Sequence, residues 1–282
     1  MNFILKLWNS LFNKPKPRSG PERVALCIGI NKYPNKENWL KGCVNDAKRW
    51  VDILKRIFQF DRITMLLDNK SNKPAVVAHM ESMIEASSPG DHLVITFSGH
   101  GTSVPDGDGD EPDGRDEALC LYGALLTDDE IRTILSKAKS GVRLTVIIDS
   151  CHSGTVTRGF VEGLGKRDRV IKYIPPEDDL FAENSRKVPV KSKAFSPHPE
   201  VEMNEVLITG CKSDEYSYDA RLGGQPCGAM TYYATKALEQ NPDITYNQWY
   251  KVLRNSLPSG NYPQSPQLEG RKENLSKRVF VV

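Results

Sequence analysis

Residues Val142 to Gly154 read V-R-L-T-V-I-I-D-S-C-H-S-G, and the rest of the predicted fold can be built outward from them. The apolar, β-branched first half of this stretch is typical of a strand buried in a parallel sheet, and that half stops abruptly at Asp149. A second run of this kind, D-H-L-V-I-T-F at residues 91–97, ends in S-G-H-G. Because chemistry in open α/β sheets lies beyond the carboxyl ends of the strands, neighbouring parallel strands would bring His100 and Cys151 together.

A cysteine beside a histidine is a candidate nucleophile, because the thiolate is the reactive species and a free thiol has a pKa of about 8.5. A structural role in the core explains either residue equally well when each is considered alone. Both residues stand at strand ends, and His100 has Gly99 and Gly101 as small flexible neighbours. That combination favours nucleophilic catalysis by Cys151 with His100 as its acid and base.

The motifs around these residues resemble those of a known family. S-G-H-G at 98–101 and D-S-C-H-S-G at 149–154 are similar to the two active-site motifs of metacaspases and orthocaspases, in the caspase-like peptidase family. The interval between the two residues is also close to the roughly 50 residues known for caspases. The caspase Q-A-C signature is absent, which argues against an aspartate-specific caspase. Further matching motifs are G-I-N-K-Y at 29–33, G-C-V-N-D-A at 42–47, D-G-D-E-P-D-G-R-D-E at 108–117, T-G-C-K-S-D-E at 209–215 and S-P-Q-L at 265–268.

The rest of the chain alternates strands and helices, which is typical of an α/β fold. The resemblance implies a caspase-like three-layer sandwich, with a six-stranded, mostly parallel sheet and helices on both faces. The predicted strands are 24–30, 63–67, 91–97, 142–148, 205–210 and 278–282, and the predicted helices are 43–58, 74–86, 128–138, 228–239 and 245–256.

One catalytic domain over residues 21–282 accounts for the length of the chain. The resemblance divides it into a larger portion at about 21–157 and a smaller one at about 203–282. Residues 158–202 lose hydrophobic periodicity and collect Lys, Arg, Glu and Pro, so we expect a long exposed loop there. A protease specific for Arg or Lys would find cleavage sites in such a loop, which predicts self-processing.

Residues 1–20 form an N-terminal arm that ends in a Lys/Pro linker. The arm is too short to span a bilayer, although its apolar residues fall on one helical face. It is therefore either an amphipathic arm that contacts a membrane surface or a partner, or a segment that is disordered or docks on its own domain. We expect a cytoplasmic protein, with peripheral membrane contact through this arm as an alternative.

Composition excludes several other classes of protein. The formal net charge of +2, with basic residues scattered among acids, does not favour nucleic-acid binding. The six cysteines show neither the dense framework of a small secreted domain nor a C-x-x-C metal pair, which indicates free thiols in a reducing compartment. We expect a monomer whose partners are protein or peptide substrates.

The chemistry expected of the pair is acyl transfer through a thioester. Cys151 would attack the scissile carbonyl, while His100 would protonate the leaving amine and then activate water. Backbone amides of Cys151 and of Gly99 or Gly101 are the candidate donors to the oxyanion. No third catalytic residue can be identified from the sequence.

Carboxylates beside the dyad predict which side chain is bound. Asp149 lies two residues before the nucleophile, and a carboxylate there attracts a cationic side chain. The alternative is a buried Asp149 that only caps the following turn. The resemblance implies that Asp149 and Asp46, the latter in a motif that begins at Cys43, line a pocket for Arg or Lys, with Ser98 on the same wall.

Residues 106–117 contain many carboxylates and turn residues, a composition suited to calcium, although the EF-hand pattern is not met. The resemblance implies calcium ligands at Asp116, Asp128 and Asp129. A capping box at residues 127–130 explains the two later aspartates without metal. Arg158 stands where the family places a further ligand, which weakens the calcium prediction.

The leading hypothesis is a cysteine endopeptidase that cleaves after Arg or Lys, stimulated by calcium and able to process itself. The alternative is a catalytically silent caspase-fold scaffold or regulator, recruited to a membrane or partner by the N-terminal arm. The intact pair of His100 and Cys151 disfavours the scaffold. A metal-dependent phosphohydrolase that uses the acidic loop is a weaker third idea, because no His cluster or phosphate-binding Gly loop accompanies it.

Overall fold

A computed structural model describes residues 20–105, 115–151, 169–175, 204–213 and 215–281. The strands described are β1 (Arg23–Gly29), β2 (Arg62–Leu67), β3 (His92–Ser98), β4 (Gly101–Pro105), β5 (Arg115–Leu121), β6 (Ala124–Thr127), β7 (Arg143–Asp149), β8 (Arg169–Ile171), β9 (Glu205–Thr209), β10 (Tyr218–Leu222), β11 (Gln225–Gly228) and β12 (Gln267–Glu269). The α-helices are α1 (Cys43–Arg56), α2 (Lys73–Ala86), α3 (Asp128–Leu135), α4 (Ala229–Gln240), α5 (Tyr246–Ser256) and α6 (Lys272–Leu275).

The main sheet has six strands in the order β12-β9-β7-β3-β1-β2, which confirms the predicted architecture. All neighbours pair in parallel except β12, which runs antiparallel to β9. The three central strands are buried along almost their whole length. Helices therefore cover both faces, which is why these strands read as continuous apolar runs.

Two apolar clusters lie on opposite sides of this sheet. Residues of α2 and α3 pack with one set of strand side chains. Residues of α1, α4 and α5 pack with the other set. The arrangement is the predicted three-layer sandwich, and it leaves the carboxyl ends of β3 and β7 side by side at one edge.

The prediction of a last strand at 278–282 was wrong. Arg278 forms an isolated bridge with Thr245, and Phe280 has a φ of 55°, which is outside the strand region. The ring of Phe280 is fully buried and packs edge-on against Trp50 at 6.4 Å. This apolar segment thus packs in the core without joining the sheet. The sixth strand of the sheet is β12.

Two three-stranded sheets lie at the active-site edge, in the orders β11-β10-β8 and β4-β5-β6. Strand β8 corrects a second prediction, because residues 158–202 were expected to form one exposed loop. Ile171 and Ile174 within it are buried. The remainder of that predicted loop, at 158–168 and 176–202, lies outside the described residues.

No helix among residues 20–281 that the structure describes has the length and apolar content needed to cross a bilayer. The N-terminal arm at residues 1–19 lies outside the described part of the chain.

Candidate active site

The register of the sheet brings the predicted dyad to one place. Ser98, the last residue of β3, lies directly opposite Asp149, the last residue of β7. His100 and Cys151 each follow two residues later, and both are buried. The two chains therefore leave the sheet side by side, as expected for functional residues at the ends of adjacent parallel strands.

The thiol of Cys151 is held by the main chain of one residue. Its Sγ donates to the carbonyl oxygen of Ser217 at 3.2 Å. The amide of Ser217 in turn lies 2.7 Å from the same sulfur. Ser217 precedes β10, so the C-terminal part of the chain positions this thiol.

His100 is oriented by two groups that the sequence reasoning missed. Its Nε2 lies 2.9 Å from the carbonyl oxygen of Asn38. A carbonyl only accepts hydrogen bonds, so Nε2 carries a proton and Nδ1 is the ring nitrogen that can accept one. The backbone amide of His100 donates to the Tyr33 hydroxyl at 2.8 Å, and the two rings lie 4.9 Å apart. The carbonyl of Asn38 thus helps to fix the orientation of the imidazole.

Two backbone amides converge on one carbonyl oxygen beside the thiol. Gly101 and Cys151 donate to the carbonyl oxygen of Lys172 at 3.0 and 3.2 Å. One amide comes from each strand-end loop. Gly99 has a different role: a Cβ at this position would lie 2.7 Å from both Tyr33 and Phe97, so glycine permits close packing behind the site.

The side chain of Lys172 fills the predicted cation pocket. Its side chain is fully buried. Its Nζ lies 3.0 Å from Asp149 Oδ1, 3.0 Å from Ser98 Oγ and 3.4 Å from Asp46 Oδ2. The structure therefore gathers Asp46, Ser98 and Asp149 around one ammonium group that belongs to the chain itself.

The pocket carboxylates are held firmly by other hydrogen bonds. Asp149 accepts from Ser217 Oγ at 2.6 Å and from the amide and hydroxyl of Thr231 at 3.0 and 2.7 Å. Asp46 accepts from Ser98 Oγ at 2.6 Å and from the amide of Gly228 at 2.9 Å. Asp149 contacts the Lys172 ammonium directly, so the alternative of a mere turn cap does not account for its position.

Charge in the pocket is balanced by mutual attraction. Burial would lower the pKa of Lys172, but Asp149, Asp46 and the nearby Asp219 outweigh it and hold that pKa well above its usual value. Burial would raise the pKa of Asp149, yet the Lys172 ammonium and the hydroxyls of Ser217 and Thr231 hold it below its usual value. For Asp46, burial and repulsion from Asp149 prevail and raise the pKa to about 6. Asp149 is therefore the principal anionic partner of the cation.

Three further residues shape the pocket. Burial raises the pKa of the Cys43 thiol well above its usual value, so Cys43 is a neutral wall residue beside Ser98. A Cβ on Gly228 would collide with the Lys172 ammonium and with Asp149, so only glycine leaves room for the cation. Asp219, held by the amides of Lys41 and Gly42 at 2.6 and 3.1 Å, adds negative charge behind the pocket. Nothing in the local sequence identified Gly228 or Asp219.

The backbone around Lys172 is extended and paired on both sides. Strand β8 runs antiparallel to β10, and the amide of Lys172 donates to the carbonyl oxygen of Ser217 at 3.0 Å. Beyond Lys172, the amide of Ile174 donates to the carbonyl oxygen of Gly101 at 3.1 Å. Residues 169–174 thus cross the site as an added strand, which is how proteins bind extended peptides at a sheet edge.

Two of the predicted calcium ligands, Asp128 and Asp129, are the first residues of α3, and the third, Asp116, lies in β5. Burial raises the pKa of Asp128 to about 7 against the effect of Arg132, and the charges of Asp129, Glu117 and Asp116 add to the rise. Arg132 already binds Asp128 at 2.5 Å and Asp129 at 3.3 Å. Within the described ranges, no group of three or more His, Cys, Asp or Glu side chains has an arrangement that would hold a metal ion.

The capping box predicted at this helix is present. The Thr127 side chain accepts from the amide of Glu130 at 3.3 Å, and the Glu130 carboxylate accepts from the amide of Thr127 at 3.1 Å. The acidic stretch at 106–114 and Arg158 lie outside the described residues. The local structure around α3 therefore has an explanation that requires no metal.

The sequence and the fold of this chain were compared with those of known proteins, and both comparisons found relatives. Residues 23–158 match the family described as metacaspase, peptidase C14 domain. Metacaspase-1A of Aspergillus niger is 32% identical over 295 residues, covering 91% of this chain and 72% of that protein. Metacaspase-1 of Pyricularia oryzae is 33% identical over 299 residues, covering 93% and 74%. The crystal structure of protein GSU0716 from Geobacter sulfurreducens is 27% identical with a TM-score of 0.74, covering 93% of this chain and 99% of that one.

Proposed function

The chain belongs to the metacaspase family of peptidases, and on that premise we propose that it is a cysteine endopeptidase that cleaves after Lys or Arg through Cys151 and His100. The position of Lys172 in the candidate site is the main support for this proposal. Its ammonium lies between the pocket carboxylates, while its carbonyl oxygen accepts from two backbone amides beside the thiol. A peptide substrate with a basic residue before the cleaved bond would bind in the same way.

The proposed reaction uses the thiol of Cys151, the imidazole of His100 and the two backbone amides beside them. His100 Nδ1 takes the thiol proton. Cys151 Sγ then attacks the carbonyl carbon of the substrate's bound Lys or Arg residue. The amides of Gly101 and Cys151 stabilise the oxyanion that forms. Collapse of this intermediate breaks the C–N bond, with the proton on His100 passing to the leaving amine. Water, deprotonated by His100, then hydrolyses the thioester and restores the thiol.

Peptides that differ in the residue before the cleaved bond test this proposal. We expect purified protein to cleave peptides with Lys or Arg at that position and to leave the matched Gln and Asp peptides uncut, because two carboxylates line the pocket. The measurement is kcat/KM for four otherwise identical fluorogenic peptides. Cleavage after Asp or Gln at a comparable rate would contradict the specificity, and no cleavage at all would favour the scaffold hypothesis.

We also propose that the chain cleaves its own Lys172–Tyr173 bond. Residues 158–202 contain many basic residues after which cleavage could occur. The burial of the Lys172 side chain in the pocket favours the bond after Lys172 as the cleavage site. Intact-mass analysis of incubated wild-type protein should show fragments that end at Lys172, and the Lys172→Gln protein should lack them. Lys251→Gln, at an exposed position on α5, is the matched control and should be processed normally. Equal fragments from a Cys151→Ala protein would reveal a contaminating protease.

Calcium stimulation is a further proposal. Oδ1 of Asp128 is buried and has no hydrogen-bond partner within the described residues. If Arg132 moved away, a bound cation could offset the repulsion between the neighbouring carboxylates. Asp116, Asp128 and Asp129 would hold the ion. We expect a dissociation constant of about 10⁻⁴–10⁻³ M, typical of weak protein calcium sites.

Calorimetric titration of the Cys151→Ala protein, which cannot process itself, separates calcium binding from catalysis. Asp128→Asn in that background should remove the heat of binding, whereas Asp243→Asn, at an exposed aspartate, should retain it. Absence of binding heat together with full wild-type activity in chelator would refute calcium stimulation.

A further inference from the structure

The strand that crosses the active site also contacts the protein away from the cleaved bond. Ile171 lies opposite Tyr218, Val170 opposite Asp219, and Arg169 opposite Ala220 in the antiparallel pair of β8 and β10. Main-chain pairing of this kind binds any extended peptide, so selectivity depends on where the side chains of the added strand point.

Arg169 has a specific environment three residues before Lys172. Its guanidinium lies over the ring of Tyr218, 5.1 Å from the ring centroid. It also donates to the carbonyl oxygen of Asn261. A planar guanidinium can stack on an aromatic ring while its edge donates hydrogen bonds, which an ammonium does less well. Tyr218 is itself buried and packs near Tyr262 at 6.2 Å, so the platform is fixed.

The two residues between Arg169 and Lys172 differ in burial. Ile171 is 9% exposed and belongs to an apolar cluster with Cys211, Tyr216 and Tyr218. Val170 is 43% exposed. An aliphatic side chain directly before the basic residue is therefore bound, whereas the preceding side chain faces away from the protein.

Resting on the proposed peptidase function, we propose that the substrate site extends along β10 and selects Arg at the position occupied by Arg169. Tyr218 and the carbonyl of Asn261 form this second cation position. The same cleft prefers an aliphatic residue at the Ile171 position and does not discriminate at the Val170 position. The preferred substrates are extended segments of the form Arg-x-aliphatic-Lys, with Tyr218 as a specificity-determining residue.

Four fluorogenic tetrapeptides test this extended site: Arg-Val-Ile-Lys, Ala-Val-Ile-Lys, Arg-Val-Ala-Lys and Arg-Ala-Ile-Lys, each followed by the reporter group. We expect Ala in place of Arg, or in place of Ile, to lower kcat/KM about tenfold, from loss of a partly desolvated cation–π contact or of apolar burial. Replacement of Val should change kcat/KM by less than about twofold, as for an exposed side chain. Residues 169–175 compete equally with all four peptides, so the ratios report on the site alone.

Variants at Tyr218 assign the effect to its ring. The ratio of kcat/KM for the Arg and Ala peptides should persist in Tyr218→Phe and fall close to one in Tyr218→Leu. This ratio does not depend on the fraction of protein that folds. A wild-type ratio near one would overturn the second cation position, and a ratio unchanged in Tyr218→Leu would overturn the role of Tyr218. Failure to cleave any of the four peptides would instead overturn the proposed peptidase function.

Discussion

Replacement of Cys151 by alanine is expected to lower kcat/KM for Lys and Arg peptides by about 10⁴-fold or more, because it removes the nucleophile. His100→Ala should cause a loss of similar size, since the thiol depends on the imidazole for deprotonation. Members of a catalytic unit act together, so the double variant should be no less active than either single variant. The measurement is kcat/KM for each protein, with unfolding temperature recorded to show that the fold persists.

A second buried cysteine provides the matched control. Cys27 lies in β1, and burial raises the pKa of its thiol to about 12, so it is inert as a nucleophile. Cys27→Ala should retain cleavage in the folded fraction of the protein. Substantial turnover by either Cys151→Ala or His100→Ala would contradict the proposed mechanism.

Replacement of Asp149 by asparagine is expected to lower kcat/KM for Lys and Arg peptides by about 30-fold to 5000-fold. The estimate is the free energy of about 2–5 kcal/mol lost when one partner of a buried charge pair is removed. Asparagine keeps the shape, and its carbonyl oxygen can still accept from the amide and hydroxyl of Thr231. The substitution therefore removes charge from the pocket and retains the two Thr231 hydrogen bonds, while an amide nitrogen replaces the oxygen that accepts from Ser217 Oγ.

The comparison that makes this test specific is between charged and neutral substrates. Asp149→Asn should lower the preference for Lys over Gln at the cleaved position. Asp52→Asn, at an exposed aspartate paired with Arg56 on α1, should leave that preference unchanged. If Asp149→Asn cleaved Lys peptides as well as wild type, Asp149 would not belong to the specificity pocket.

The strands at the centre of the sheet could be predicted because burial on both faces leaves a continuous apolar run in the sequence. The edge strand β12 could not, because Gln267–Glu269 is short, polar and joined to the sheet by backbone pairing. For the apolar segment after Arg278 a strand was predicted although none forms. A segment buried among aromatic side chains has the same apolar composition as a buried strand. A short run of apolar residues indicates that a segment is buried. It does not distinguish a strand from a buried loop.

The dyad and Asp149 follow directly from strand ends, so local sequence was sufficient to propose them. Lys172, Ser217 and Gly228 reach the site through contacts between residues far apart in the chain, and no local pattern marks them. Lys172 in particular resembles the many other basic residues of its segment. What distinguishes it is an extended backbone that delivers its side chain to the pocket and its carbonyl to the two amides.

Ser217 connects the candidate active site to a part of the chain that is synthesised late. It contacts the thiol, supports Asp149 and pairs with the substrate strand, yet it lies 66 residues after Cys151 in the chain. A ribosome-bound chain that has been made as far as Cys151 carries both proposed dyad residues but lacks Lys172, Ser217 and Gly228. Because domains fold as units during translation, we expect the nascent chain to be inactive as a protease until β10 has emerged and paired with β8 and β11.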